Sequence, residues 1–433
     1  VRTGLPRRIV QRMTGRPRPS PSPFRITPAE IARPRSIEDV LDLFTWAREH
    51  RGHLVFRGGH SSLSGQAETP HVVVDVSRSF RQVTVLDDGE RVRAGAGTTL
   101  AEVNARLARH GRRLGPQLAS ARTATIGGLV ATDADTLAPL TGQRVWDTLE
   151  NLVVALPTGV VLDTAQKNAE VTLRLTDPHL VQGLLTLRRR LERPQTREEV
   201  QQQFALPNTM GYRIDALLEF PSPVEMARHL LIGSEGTLGF VAEATFRTVP
   251  DAPEQRRRDL AAPYHALGRR IPGHVLLEDF AVPGDVLDEV VGALKELLVR
   301  YDLDVPEMTV TPQGCIHYPL VLDLDDAASR RRFRRYRRDS VALIRASGGS
   351  LRARHGTGRA MSPFMLDQFG DELFEVMREV KHTFDPSMIL GPGILLTDDP
   401  LTHTRDLRPA RPPSLRNRLG TRLQDWLERR RPR

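Results

Sequence analysis

A chain of 433 residues, 39% hydrophobic and 27% charged, has room for two or three domains and enough apolar side chains for a core. That excludes a wholly disordered chain and a small stapled scaffold. Its single cysteine, Cys315, excludes an intrachain disulfide, a cysteine zinc site and a protein-ligated iron–sulfur cluster, and fits a reducing compartment.

The net charge of +9 belongs to the ends. Residues 1–25 hold seven arginines and no acid, and residues 408–433 hold nine arginines against Asp425 and Glu428. The body, 26–407, therefore carries −5. A nucleic-acid enzyme more often carries its basic surface on the folded domain, so no specific nucleic-acid partner is expected. No apolar run reaches the ~18 residues that a bilayer span needs, and the basic start is not followed by a signal-peptide core.

In chain order, residues 1–23 are rich in Arg, Pro and Ser and read as a flexible basic arm. Ser36 before Glu38 and Asp39 reads as a helix N-cap, with the helix running to about His50. A strand at His53–Phe56 precedes a Gly-rich loop. His71–Val76 reads as a strand, and Val83–Leu86 with Arg91–Ala94 as a hairpin about Asp88-Gly89. Thr99–His110 is helical. Thr125–Ala131 is a Gly-containing turn into an apolar segment. Asn151–Leu156 and Val160–Thr164 form a second hairpin. Residues 176–203 read as helical, and Phe240–Val249 as an alternating strand. Residues 251–273 read as a linker. A second block follows: strand His274–Asp279, helix 284–301, a strand near 307–318, helix 326–347 and helix 364–382. The expected class is α+β, with no repeats. The run Arg330–Arg338 reads as a solvated helical face or a dock for an acidic partner.

Three glycine loops carry most of the functional information. The first is Arg57-Gly58-Gly59-His60-Ser61-Ser62-Leu63-Ser64-Gly65-Gln66, directly after a strand. The second is Thr125-Ile126-Gly127-Gly128. The third is Gly233-Ser234-Glu235-Gly236-Thr237-Leu238-Gly239. Glycines let backbone N–H groups approach a diphosphate and allow the positive-φ turns of an anion nest. No G-x-G-x-x-G opens a helix and no P-loop is present, so kinase and nicotinamide readings lose ground.

In order, these loops resemble the FAD-binding domain of vanillyl-alcohol oxidase-type (PCMH-type) flavoproteins. GSEGTLGFVAEATFRTVP is the most specific match. Asn208–Tyr212, LLEDFAVP (276–283), HGTGRAMSPF (355–364) and DPSMILGPGILL (385–396) are similar to the D-lactate dehydrogenase, glycolate oxidase and D-2-hydroxyglutarate dehydrogenase branch. The resemblance implies an FAD-binding domain over 24–250 and a shortened FAD-linked oxidase C-terminal domain over 274–408. It implies FAD as cofactor, held by the three loops. It also implies oxidation of a small 2-hydroxy acid or related alcohol, with hydride passing to flavin N5 and a basic side chain taking the hydroxyl proton. The electron acceptor is left open between quinone, a partner protein and oxygen.

This chain departs from that pattern. The resemblance places metal ligands in a H-x-x-x-G-N-x-H stretch and in a Glu before the HG motif. Here the stretch is Val310–His317: Val310 replaces the first His, Cys315 replaces the Asn, and Arg354 stands at the Glu position. The expectation is no metal. Either Arg354 replaces the metal's charge and pairs with a substrate carboxylate, with His355 as base and His317 beside it, or the site has decayed into a flavin-binding accessory protein. His317 and His355 also have a plain reading as hydrogen-bonded, partly buried histidines.

The segment before LLEDFAVP is short against the long relatives, which implies unpaired sheet edges unless the remainder repacks or forms a homo-oligomer. His60 follows Arg57 by three positions, where flavin-linking histidines follow by four. Asp133 replaces an Asn and is expected to weaken flavin binding. Residues 409–433 read as a basic amphipathic tail, with Leu415, Leu419, Leu423, Trp426 and Leu427 on one face. That tail either packs on the body or touches an anionic membrane surface, so the chain is expected to be cytoplasmic or peripheral at the inner face.

Overall fold

The computed structural model describes residues 5, 9–11, 21–118, 120–134, 143–251, 274–305 and 307–408. The expected linker, save Asp251, and the basic tail at 409–433 lie outside the described residues, as does most of the N-terminal arm. Order nevertheless begins earlier than Phe24. β1 (Val10–Gln11) pairs antiparallel with β2 (Glu30–Ala32), and Leu5 and Ile9 are buried.

The first sheet has the order β1-β2-β4-β3, with β3 at Leu54–Arg57 and β4 at Val72–Asp75. β2, β4 and β3 run parallel, because helix Ile37–His50 forms the crossover between β2 and β3. Ser36 caps that helix by accepting from the Asp39 N–H, and Val40, Leu43, Phe44 and Ala47 line its buried face.

The second sheet is antiparallel: β5 (Val83–Leu86), β6 (Arg91–Gly95), β10 (Phe240–Pro250), β8 (Leu149–Ala155) and β9 (Val161–Asp163) in that order, with β7 (Arg112–Leu114) also on β10. β10 alternates buried and half-buried positions along much of its length. The stretch 176–203, expected to be helical, is divided among separate helices. Helices Ala169–Thr176, Pro178–Leu191 and Pro194–Phe204 are separated where Pro178 and Pro194 each start a new first turn.

The third sheet is β11 (His274–Ala281), β13 (Cys315–Leu322) and β12 (Thr309–Val310). The strand expected over 307–318 is two strands, because Thr311–Gly314 turns the chain: the Gly314 N–H bonds the Thr311 carbonyl at 3.0 Å with φ +81° at Gly314. Helices Leu287–Arg300 and Ala327–Ala346 supply Val290, Leu294, Phe333, Tyr336 and Ile344 to the core that includes this sheet.

Part of the β11 edge of this short sheet is covered by the chain itself. Residues 350–353 run beside β11, with Ala281 and Ser350 exchanging backbone hydrogen bonds of 3.0 and 2.8 Å and the Ala353 N–H bonding the Asp279 carbonyl at 3.0 Å. Asp304 bridges to Val321 on β13. Helix Met365–Phe384 then returns to the first half. Its Glu372 and Glu379 clamp Arg190, and its buried Lys381 donates to the Thr237 and Leu390 carbonyls at 2.7 and 2.8 Å.

Candidate cofactor and active site

The three glycine loops meet. The first leaves β3 and packs on the lead-in to the second: a Cβ on Gly59 would lie 1.6 Å from the Thr123 carbonyl oxygen, and one on Gly58 would lie 2.1 Å from Thr125 Oγ1. No other residue allows that approach. The second loop enters helix Ile126–Ala131, with the Ile126 and Gly127 N–H groups bonded to Thr98 and Ala96 carbonyls at 2.8 and 2.9 Å. The third loop clamps that helix: the Gly233 N–H donates to Val130 at 2.9 Å and the Glu235 N–H to Ala131 at 2.8 Å. Gly233, Glu235 and Gly236 all have positive φ, so loop three is a tight coil whose Gly233 and Glu235 N–H groups are spent on holding that helix.

One cavity of about 1620 Å³, partly open to solvent, runs between them. Arg57, Gly58, Gly59, His60, Ser61, Ser62 and Gln66 line it from loop one. Thr125, Gly127 and Gly128 line it from loop two, and Ser234, Glu235, Gly236 and Gly239 from loop three. Arg354 and His355 of the second block complete the wall. Four other expected residues hold the loops instead of lining this cavity. Ser64 Oγ donates to the His355 carbonyl at 3.0 Å, Gly65 packs on Phe24, Gly233 anchors to Val130, and Thr237 Oγ1 bonds Tyr212 Oη and the Ser234 carbonyl at 2.7 Å each.

The loops fit a dinucleotide. The wall mixes apolar side chains with glycine backbone, six serine and threonine hydroxyls, Gln66, His60 and the cation Arg57, and Thr125 Oγ1 is buried without a partner among the described residues. Glu235 is the exception in charge. It is buried and accepts from the Gly358 N–H at 2.8 Å and from Gln66 Nε2 at 3.4 Å, and burial pushes its carboxyl up to about 7. His60 is held in positive φ with Nε2 3.0 Å from Glu68 Oε1.

Asp133 does not face the cavity, contrary to expectation. It is 1% exposed, lies 3.1 Å from Arg213 Nη1 and accepts from the Trp146 N–H at 3.0 Å. Its charge is compensated inside the protein, which removes the reason to expect weakened flavin binding.

The second block contributes a charge cluster built on strand register. Asp279 on β11 sits directly opposite His317 on β13, with Oδ1 2.7 Å from His317 Nδ1. The two lie off the axis of a good hydrogen bond, so this is foremost a charge contact. Oδ2 accepts from the Arg354 and His355 N–H groups at 2.9 and 2.8 Å and lies 2.8 Å from His355 Nδ1. Asp279 is fully buried. Burial alone would raise its carboxyl, but the two imidazoles outweigh it and hold it well below the usual carboxylate range. Burial would likewise lower His317, but the Asp279 charge overrides it and raises the imidazole to about 9.

His317 is thus a buried cation set behind Asp279, and it is absent from the cavity wall that His355 lines. Asp279, His317 and His355 are also the one group among the described residues whose metal-donor atoms all fall within 4.8 Å of one another. Asp279 had no place among the expected site residues. The signal was available: an acid in the apolar strand LLEDFAVP marks a buried carboxylate that needs partners.

Two family models match the chain: the FAD binding domain over residues 28–165 and the C-terminal domain of FAD linked oxidases over 234–395. The chain is 24% identical to D-2-hydroxyglutarate dehydrogenase of Escherichia coli strain K12, over 86% of this chain and 48% of that protein. It is 25% identical to D-lactate dehydrogenase of Archaeoglobus fulgidus, over 84% and 90%. It is 22% identical to glycolate oxidase subunit GlcD of Bacillus subtilis, over 87% and 90%. The chain spans about half or less of the D-2-hydroxyglutarate dehydrogenases it matches. In fold, a solved alkyldihydroxyacetonephosphate synthase superposes with a TM-score of 0.52 at 15% identity, covering 85% of this chain and 76% of that one. The α+β class therefore stands, FAD is the cofactor these domains indicate, and the chain belongs to the FAD-linked oxidase family.

Proposed function

We propose that this protein is an FAD-dependent oxidoreductase that oxidises the CH–OH group of a small 2-hydroxy acid. The observation that carries this reading is that one cavity is walled by three glycine loops on one side and by Arg354 and His355 on the other. The loop backbones and Ser61, Ser62 and Thr125 would hold the cofactor, whose diphosphate suits the glycine turns. Bound there, FAD supplies a two-electron acceptor.

The chain's own residues prepare the substrate. Arg354 pairs with the substrate carboxylate. Asp279, ionised and able only to accept, fixes His355 with its proton on Nδ1, which leaves Nε2 as the base for the hydroxyl proton. His317, cationic behind Asp279, completes the charge balance without a metal ion. The relatives' names, covering D-lactate, D-2-hydroxyglutarate and glycolate, set the substrate class to test. Electrons leave to an acceptor that is a quinone, a partner protein or oxygen. Among the described residues no helix is long and apolar enough to cross a membrane.

Purified protein reconstituted with FAD should show the two-banded visible spectrum of oxidised flavin. It should bleach anaerobically with one of these three acids in the presence of a chelator. A bound flavin that none of them bleaches, with chelator or with added divalent metal, would leave the accessory-protein reading standing.

A further inference from the structure

A second cavity lies in the C-terminal block. It is partly open to solvent and sits between helix Ala327–Ala346, the start of helix Met365–Phe384 and residues 400–403. Four guanidinium groups line it, those of Arg334, Arg337, Arg338 and Arg345, against one carboxylate, Asp367.

Two of the four are already engaged. Arg337 makes a bidentate pair with Glu278 at 2.5 Å per bond, and Arg338 lies 2.8 Å from Asp339. Arg334 and Arg345 remain against Asp367, which leaves one surplus positive charge. Arg345 has burial pushing its pKa down and only Asp367 opposing, as expected of a cation short of counter-charge.

One buried nitrogen on the same wall has no hydrogen-bond partner among the described residues: Arg337 Nε, on a residue 4% exposed. Burial and the neighbouring Arg337 hold the His403 imidazole neutral, with its pKa lowered to about 3, so it adds a polar atom and no charge. Buried donors left unmade are rare in folded proteins and call for an explanation. The rest of the wall includes Val341, Phe364 and Leu401.

We infer that this cavity is a binding site for a small molecule bearing a carboxylate or phosphate group, whose oxygens meet Arg334, Arg345 and the unpartnered Arg337 Nε while its carbon body lies against the apolar wall. The site is distinct from the flavin cavity, with which it shares no lining residue, and it does not depend on the function proposed above.

The test uses the full-length chain after incubation with excess FAD and gel filtration, so that any diphosphate site is filled. Inorganic phosphate, and separately succinate, is titrated calorimetrically at constant ionic strength set with chloride. The inference expects saturable one-to-one binding of at least one probe. It expects at least a tenfold loss of affinity in both Arg334→Glu and Arg345→Glu, whose thermal midpoints and visible spectra stay unchanged. Heats that do not saturate, or affinities that both variants retain, overturn it. If the chain takes up no flavin, the same variants still decide, because loss of binding in them locates the anion here and retention locates it elsewhere.

Discussion

Replacing Asp279 with Asn removes one charge from the centre of the cluster while keeping its shape. In the wild type, His317 is raised from its ordinary 6.5 to about 9 because a buried carboxylate stands 2.7 Å away. At ~1.4 kcal/mol per unit of pKa, that interaction is worth on the order of 3 kcal/mol. A group whose folded pKa is raised stabilises the fold fully below its unfolded value, and that stability is lost as pH rises. Here the window runs from about 6.5 to about 9. In Asp279→Asn, burial acts on His317 against Cys315 alone, so its pKa falls well below 9 and this window shrinks. His355 also loses the acceptor-only partner that fixes its tautomer. By analogy with carboxylate–histidine pairs in other enzymes, flavin reduction by substrate slows by about 10²–10⁴-fold. The assays are histidine titration by NMR, denaturant melts across pH 6 to 10, and stopped-flow flavin bleaching. A His317 that still titrates near 9 in Asp279→Asn, or unchanged bleaching, would refute the reasoning.

The other predictions concern the cavity walls. Gly59→Ala forces a methyl group into the Thr123 carbonyl, so the two loops must part and FAD retention should fall by at least tenfold. Gly292→Ala, whose Cβ meets nothing within 4 Å in a helix, should retain flavin and gain about 0.5–1 kcal/mol; the flavin-to-protein absorbance ratio compares them. Glu235→Gln should flatten a loss of stability that the wild type shows as pH rises from 4.5 through about 7, because a buried carboxyl with a raised pKa must ionise there. Denaturant midpoints at pH 5 and 8 read this directly. Arg354→Leu should raise the KM for a 2-hydroxy acid by about 10–100-fold, in line with ~1.5–3 kcal/mol for a charge-assisted hydrogen bond, with Arg354→Lys intermediate. Equal KM values in all three proteins would remove Arg354 from substrate binding.

Local features were legible in the sequence. Ser36 with Asp39 gave the first helix start, the hairpin turns fell where Gly and Asp predicted, and the glycine loops stood out because backbone approach demands glycine whatever the surroundings. What lay hidden was pairing over long separations. Asp133 read as a threat to a bound anion because its partner Arg213 lies 80 positions away. The apolar strand around Asp279 marks it as a buried carboxylate, but its partners come from strand register with His317 and from a segment 76 positions later. The short third sheet read as broken because nothing local shows that 350–353 covers β11. The helical reading of 176–203 holds for most of the stretch, and its breaks fall where Pro178 and Pro194 each start a helix.

The central claim is that three separated turns build one flavin site. Equilibrium titration of the purified apoprotein with FAD, followed by flavin fluorescence, tests it most directly. The account predicts saturation at one FAD per chain in the wild type and at least tenfold weaker uptake in Gly59→Ala. A wild-type chain that takes up no FAD, or one whose uptake is indifferent to that methyl group, would contradict it.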